Sequence, residues 1–303
     1  MSFPSKEGKI ITMFPTLFQL GAFSLQTINI WLLIGFIGGG FLVWKRAHDE
    51  HYEDDQVFDV LLVSTLIGIL FARVVYVLFH FTDFGIDFLS WLSFFTRPGF
   101  NEFIGVIATL VAARWQLKHR KWDEYEFLDF LSVGCVWFLA CLWIGRFFAG
   151  SYLGLPTGLP VGMIFPTVYD ARHPVQLYFV GILLLQLLIL FLLEKRYRFF
   201  QWYKGNSQSA QTGFVVGNMI FLTGITYTAL RFLQQEPQKF IFSFPIEAIA
   251  TFLLGCIGLV LLYLRSGIGK SNKRTVKLKQ QRRLFSRKLK AFKWRKQSET
   301  NKE

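Results

Sequence analysis

Residues 142–178 have the sequence LWIGRFFAGSYLGLPTGLPVGMIFPTVYDARHPVQLY. An apolar run ends near Arg146, a segment rich in glycine and proline follows, and a second apolar run begins after Arg172 and His173. Glycine and proline at this density favour turns over helix. The stretch therefore predicts two helices joined by a turn-rich loop, and the other helices can be placed relative to it.

The chain as a whole is too apolar for an ordinary soluble domain. Of its 303 residues 52% are hydrophobic and 18% are aromatic, and the mean hydropathy is +0.38. Apolar runs of about 20 residues are long enough to cross a bilayer. The candidates, of which the third is short, are residues 24–44, 57–81, 100–114, 128–150, 174–193, 213–234 and 244–264. We therefore predict an all-α integral membrane protein with seven transmembrane helices.

Basic residues set the predicted orientation, because short loops rich in Lys and Arg stay in the cytoplasm. They concentrate after the first, third and fifth helices: Lys45, Arg46, Arg114, Lys118, Arg120, Lys121, Lys195, Arg196, Arg198 and Lys204. We therefore place the N-terminus outside and the C-terminus in the cytoplasm of a bacterial plasma membrane. The first twenty residues are not expected to form a cleaved signal peptide.

The net charge of +13 is concentrated at the C-terminus. From Arg265 onward the chain has fifteen Lys and Arg against two acids, so the remainder is neutral. We divide the chain into a membrane domain, residues 1–268, and a basic tail, residues 269–303. The tail interleaves bases with apolar residues, which favours binding to anionic lipid. RNA is the alternative ligand, and nucleic acid is the less favoured of the two.

The cysteines and histidines do not indicate a metal site. Cys135, Cys141 and Cys256 lie inside apolar runs without CxxC spacing, which predicts small buried residues. His48 and His51 lie among acids in a linker, where a solvated face is favoured over a metal centre. We expect no metal and no cofactor.

Three arginines fall within predicted transmembrane helices: Arg73, Arg146 and Arg231. A charged side chain there costs about 2.5 to 3.5 kcal/mol on insertion scales, so each is a functional candidate. In the predicted orientation all three reach the outer half of the membrane, near Arg172 and His173. Converging arginines favour a phosphate ligand, which a guanidinium binds through paired donors. Snorkelling is the alternative for any single one.

Two tyrosines extend this arrangement. Tyr76 lies three residues after Arg73, and Tyr227 lies four before Arg231, so each can share a helical face with its arginine. Interfacial anchoring is the alternative for both. We expect a polar pocket between helices, capped by residues 150–172, that accepts an anionic phospholipid headgroup.

Several segments together form a recognisable pattern. They are residues 144–150, 154–157, 159–162, 165–166 and 172–178, with further matches at residues 21–24, 71–73, 76, 129, 227 and 231. The pattern resembles the prolipoprotein diacylglyceryl transferases and covers all seven predicted helices. The resemblance implies seven helices, an outward-facing site, and transfer of diacylglyceryl from phosphatidylglycerol to the lipobox cysteine in the signal peptide of a prolipoprotein.

The chain departs from the family pattern at several positions, which makes it a divergent member. The usual Arg-Ile-Gly-Asn becomes Trp143-Ile144-Gly145-Arg146, so the arginine is lost or moved by about one turn. The expected histidine falls near Asn101, beside Glu102. Other expected residues fall at Ile28, Ser151, Gln235 and Gln238, with Glu236 as a substitute for the acid of helix six.

By this resemblance Arg146 and Arg231 bind the headgroup phosphate and stabilise the leaving glycerol phosphate. Glu102 or His173 is the candidate base for the thiol, with Glu102 retained as the catalytic assignment. Substrate-binding roles, including shaping and closing the pocket, fall to Arg73, Tyr76, Gly154, His173, Gln176, Tyr178 and Tyr227. The alternative function is a catalytically silent member that binds anionic lipid or a membrane partner; a transporter is a weaker third.

Overall fold

The computed structural model describes residues 9–10, 15–20, 23–87, 91, 99–198, 212–235, 240–241 and 244–266. These residues contain seven helices of at least 18 residues. They are α1 (Thr27–Asp49), α2 (Asp54–Phe79), α3 (Glu102–Arg120), α4 (Glu124–Ala149), α5 (Val175–Arg198), α6 (Phe214–Arg231) and α7 (Ile246–Arg265). A single helical turn, Phe81–Phe84, follows α2. The basic tail lies outside the described residues.

Six of these helices are long and apolar enough to cross a membrane, which confirms the predicted helical multi-pass architecture. The exception is α3, whose second half carries Arg114, Lys118 and Arg120. It extends six residues beyond the predicted end at residue 114, because a helix packed along a neighbour tolerates charge on its exposed face. Seven crossings and the orientation of the termini remain predictions.

Short strands lie before α1 and in the connections from α4 to α5 and from α6 to α7. They are β1 (Lys9–Ile10), β2 (Thr16–Leu20), β3 (Phe23–Gln26), β4 (Met163–Ile164), β5 (Ala171–Arg172), β6 (Phe240–Ile241) and β7 (Phe244–Pro245). Antiparallel pairing of β2 with β3 makes α1 begin at Thr27 and not at the predicted residue 24. Within residues 150–172, β4 pairs antiparallel with β5. The N-terminal strand β1 pairs in parallel with β4.

The most buried of the apolar helices is α4, which packs against α1, α3, α5 and α6. Helices in a membrane associate through close van der Waals packing, which small residues permit. At the contact of α1 with α4, a Cβ added to Gly39 would lie 2.8 Å from the Gly134 carbonyl oxygen. Gly39 of α1 thus serves helix packing. Cys135 and Cys141 of α4 are buried as predicted, whereas Cys256 is exposed, contrary to the prediction.

Each odd-numbered helix runs antiparallel to the even-numbered helices that it packs against. For α2 and α3, the Asn101 N–H donates to the Ala72 carbonyl at 3.1 Å, while Arg120 Nη1 donates to Gln56 Oε1 at 3.2 Å at the other end. Contacts between α1 and α4, α3 and α4, α4 and α5, α5 and α6, and α6 and α7 follow the same pattern. The start of each odd helix therefore lies with the end of each even helix, at what we call the site end.

Candidate active site

An ion pair joins α3 to α4 at the site end. Arg146 Nη1 donates to Glu102 Oε1 at 2.6 Å, and Nη2 donates to Oε2 at 2.9 Å. The two side chains are only 7% and 15% exposed. Local sequence explains the placement, since Asn101 caps α3 by accepting from the Ile104 N–H at 3.1 Å and so fixes Glu102 as its first residue. The sequence prediction named both residues but did not predict that they bind each other.

Aromatic rings cover the Arg146 guanidinium. Its Cζ lies 4.6 Å from the Trp143 ring centre and 3.8 Å from that of Tyr152, distances at which cation–π attraction operates. Trp143 in turn stacks on Phe179, with ring centres 3.8 Å apart, and donates from Nε1 to the Tyr227 hydroxyl at 2.9 Å. Trp143, at the position where the family pattern has arginine, therefore forms part of the support for Arg146.

A second ion pair joins α6 to α7. Arg231, the last residue of α6, lies 2.5 Å from the Glu247 carboxylate, measured from Nη2 to Oε2. Its Nη1 also donates to Gln234 Oε1. Together with Glu102 and Arg146, this pair places two acids and two arginines on four helices at the site end, and we call these four residues the charge quartet.

Residues 150–172 lie over the end of α6. The Leu155 N–H donates to the Leu233 carbonyl at 2.8 Å, and the Gln235 N–H donates to the Leu153 carbonyl at 3.0 Å. This strand-like pairing begins two residues after Arg231. The loop therefore covers the segment that carries one of the quartet arginines, as expected for a lid.

The same loop is held to the start of α5. Gln176 Nε2 donates to the Ser151 carbonyl at 2.6 Å, and His173 Nδ1 lies 3.2 Å from the Tyr178 hydroxyl. Arg172 Nη1 donates to the Gly154 carbonyl at 3.4 Å. Gln176 Oε1 and Arg172 Nε are buried and have no hydrogen-bond partner within the described part of the chain. Gln176 and the backbone of His173 thus bind the loop, while Tyr178 of α5 contacts the His173 ring.

Gly154 lies where the lid meets the start of α5, and there is no space for a side chain. A Cβ added there would overlap the His173 carbonyl oxygen and lie 2.8 Å from Val175 Cγ2. We expect Gly154→Ala to displace the lid and to lower the rate of the reaction by about tenfold. Gly158→Ala in the same loop is the matched control, because nothing lies within 4 Å of its added Cβ. Equal activity of the two variants in a transfer assay would contradict a role for this contact.

Arg73 and Tyr76 brace the connection from α2 to α3. Arg73 Nε donates to the Trp91 carbonyl and Nη1 to the Gly99 carbonyl, both at 2.9 Å. Tyr76 fills the space beside Gly99, since a Cβ there would overlap its ring. Arg73 therefore binds the segment that leads into Glu102, and the position of that carboxylate depends on these two hydrogen bonds.

Glu247 is the site residue that the sequence prediction missed. It is the acid in the first turn of a helix that is otherwise apolar until Arg265, and this isolation is the signal that could have identified it. Glu236, which the sequence prediction named as a substitute for the acid of helix six, lies outside the described residues, as does Gln238. Within the ranges that the structure describes, no three His, Cys, Asp or Glu residues group as metal ligands.

Comparison with known proteins assigns a family. The sequence profile of the prolipoprotein diacylglyceryl transferases matches residues 15–264. A phosphatidylglycerol–prolipoprotein diacylglyceryl transferase of Legionella pneumophila is 36% identical over 175 residues, 55% of this chain and 67% of the relative. Proteins of the same name from Clostridium tetani and Francisella tularensis subsp. holarctica are each 25% identical, over 231 and 266 residues. These alignments cover 75% and 83% of this chain and 87% and 94% of the respective relatives. Since the profile spans the helices that carry the charge quartet, this chain belongs to the prolipoprotein diacylglyceryl transferase family.

Proposed function

We propose that this protein transfers the diacylglyceryl group of phosphatidylglycerol to the lipobox cysteine thiol of prolipoproteins, the reaction that the names of its relatives indicate. The observation that carries the proposal is that both arginines of the charge quartet lie beside the lid in a chain of this family: Arg146 contacts Tyr152, and Arg231 binds Gln234, which forms a bridge with Gly154. Donors held beside a site of developing negative charge stabilise the transition state electrostatically. No cofactor is required by this chemistry.

The reaction consists of one displacement at carbon. The cysteine sulfur forms a bond to the glycerol carbon of the diacylglyceryl group, the bond from that carbon to the phosphate oxygen breaks, and glycerol phosphate leaves. The thiol must lose its proton to become a nucleophile. The leaving phosphate gains negative charge, which Arg231 and Arg146 stabilise.

We assign the thiol proton to Glu102. Both of its oxygens accept from Arg146, so it binds a proton only as that pair opens. Protonation neutralises Glu102 and weakens its attraction for Arg146 just as the leaving phosphate becomes more negative. The proton transfer and the transfer of Arg146 to the phosphate therefore favour each other. His173, whose ring contacts Tyr178 of α5 and whose backbone N–H donates to the Leu155 carbonyl of the lid, is assigned to holding the lid.

The membrane orientation follows from the same proposal. We place the site end at the outer face of a bacterial plasma membrane and the opposite end, with the basic tail on anionic lipid, in the cytoplasm. Arg46, Arg114, Arg120 and Arg265 all lie at that opposite end, which agrees with the positive-inside rule. We also propose that α3 completes a seventh crossing, because it runs antiparallel along the length of α2.

A single assay tests the function. The purified protein is incubated in nanodiscs with phosphatidylglycerol and a fluorescent lipobox peptide, and the thioether product and released glycerol phosphate are measured by mass spectrometry. The Legionella pneumophila relative serves as the reference. Binding of phosphatidylglycerol without product would favour the second candidate, a silent lipid-binding member. The full engagement of Glu102 by Arg146 is the observation that favours that candidate.

A further inference from the structure

The carboxylate that binds Arg231 comes from an unexpected helix. The four residues that follow Arg231, residues 232–235, include no acid. Glu247 of α7 supplies a carboxylate instead, at 2.5 Å from Nη2. Nη2 of Arg231 is an atom that a headgroup phosphate would bind, because phosphate and carboxylate oxygens compete for the same guanidinium donors.

The position of Arg231 is also supported by residues other than Glu247. Gln234 Oε1 accepts from Nη1, and Gln234 is buried and forms a β-bridge with Gly154 of the lid. The guanidinium is therefore attached to the lid through its other terminal nitrogen. Loss of the Glu247 contact leaves this attachment in place.

Of the two quartet carboxylates, Glu247 is the easier to displace. Its side chain is 41% exposed, whereas that of Glu102 is 15% exposed and binds Arg146 through both oxygens. Glu247 also lies in the first turn of α7, where the helix dipole favours a carboxylate without help from Arg231. An incoming anion should therefore displace Glu247 first.

We infer that Glu247 occupies the phosphate position on Arg231 and that the substrate phosphate binds by displacing it. The exchange replaces one anion by another and changes no covalent bond. The inference rests on the proposed function for the identity of the lipid; the competition itself applies to any glycerol phosphate group. Glu247 thus weakens substrate binding, so that its removal should strengthen it.

The test uses Glu247→Gln, which removes the charge and keeps the shape, in the full-length protein in nanodiscs. Binding of soluble glycerol phosphate is measured by calorimetry, and the KM for phosphatidylglycerol is measured by the transfer assay. We expect the Kd and the KM to fall by about threefold to fivefold, as for loss of a partly exposed ion pair. A fall in KM alone would also support the inference and identify the lipid as the only source of the phosphate.

Asp170→Asn is the matched control. Asp170 is 68% exposed and lies 3.9 Å from Arg172 in the lid, so the variant makes the same change in charge beside a different arginine. It should leave both constants unchanged. A shift equal to that of Glu247→Gln would mean that overall charge, and not competition at Arg231, determines the affinity.

Two further variants separate competition from a structural role. In an Arg231→Ala background, Glu247→Gln should have no effect on the binding of glycerol phosphate. Glu247→Asp retains the charge and should not tighten binding. Weaker binding by Glu247→Gln, or a loss of kcat at unchanged KM with an unchanged unfolding midpoint, would show that Glu247 positions Arg231, and the inference would be wrong. If the wild type forms no product while Glu247→Gln still binds glycerol phosphate more tightly, the transferase proposal fails and the inference stands.

Discussion

Arg231→Ala is expected to lower kcat/KM for diacylglyceryl transfer by about a hundredfold to a thousandfold, the usual effect of removing one preorganised donor to a developing negative charge. Arg231 is 15% exposed and lies beside the lid, to which Gln234 connects it. Its loss leaves the leaving phosphate with a weaker field and leaves Glu247 without its partner. The kinetic constants are measured with phosphatidylglycerol and a lipobox peptide at saturating peptide.

Arg172→Ala is the comparison for this prediction. Arg172 belongs to the same lid and is also buried, but its hydrogen bond is to the Gly154 carbonyl and its nearest acid is 3.9 Å away. We expect a loss about tenfold smaller, since this arginine holds the loop and is not assigned to the phosphate. Similar losses in both variants would mean that Arg231 acts only through the lid. Arg231→Lys should recover little activity, because a lysine lacks the second terminal nitrogen that Gln234 holds.

Much of the fold was predictable, because apolar run length determines where a helix can cross a bilayer. The predicted fourth helix, residues 128–150, corresponds to α4 at Glu124–Ala149, and the predicted seventh, residues 244–264, corresponds to α7 at Ile246–Arg265. The start of α1 was wrong, because hydropathy alone does not distinguish the β2–β3 hairpin from the helix that follows it. The helix ends depend on caps such as Asn101, which act over three residues. A hydropathy average over about 20 residues does not detect them.

Three of the four residues of the charge quartet were named from the sequence, but their contacts were not. Charged residues in apolar helices identified Arg146 and Arg231, yet the partner of Arg146 is 44 residues away in the sequence. Only the antiparallel packing of α3 with α4 brings Glu102 to it. Trp143 shows the same limit, since the sequence indicated a missing arginine while the structure shows a ring that covers the neighbouring guanidinium. Pairings between helices follow from tertiary packing, which a single sequence with its local periodicity does not specify.

The Glu102–Arg146 pair should be strongly coupled in stability. Glu102→Gln and Arg146→Met each leave one buried charge without its partner, which typically costs about 3 to 5 kcal/mol. The double variant removes both charges. Its loss in free energy of unfolding should therefore be smaller than the sum of the two single losses, by a coupling of about 2 kcal/mol. The free energy of unfolding is measured by titration with a denaturing detergent in mixed micelles, for the wild type and the three variants.

The matched control for this cycle is the Arg46–Glu194 pair at the opposite end of the bundle. Arg46 Nε lies 2.9 Å from both Glu194 oxygens, and both side chains are 13% exposed, so its burial and geometry are similar. Arg46→Met and Glu194→Gln should show comparable coupling in stability and full recovery of transfer in the double variant. The Glu102–Arg146 double variant should recover stability without activity. It lacks both the proton acceptor and one of the arginines that donate hydrogen bonds to the phosphate. Recovery of transfer there as well would show that this pair is structural, and the proton would have to be assigned to another residue.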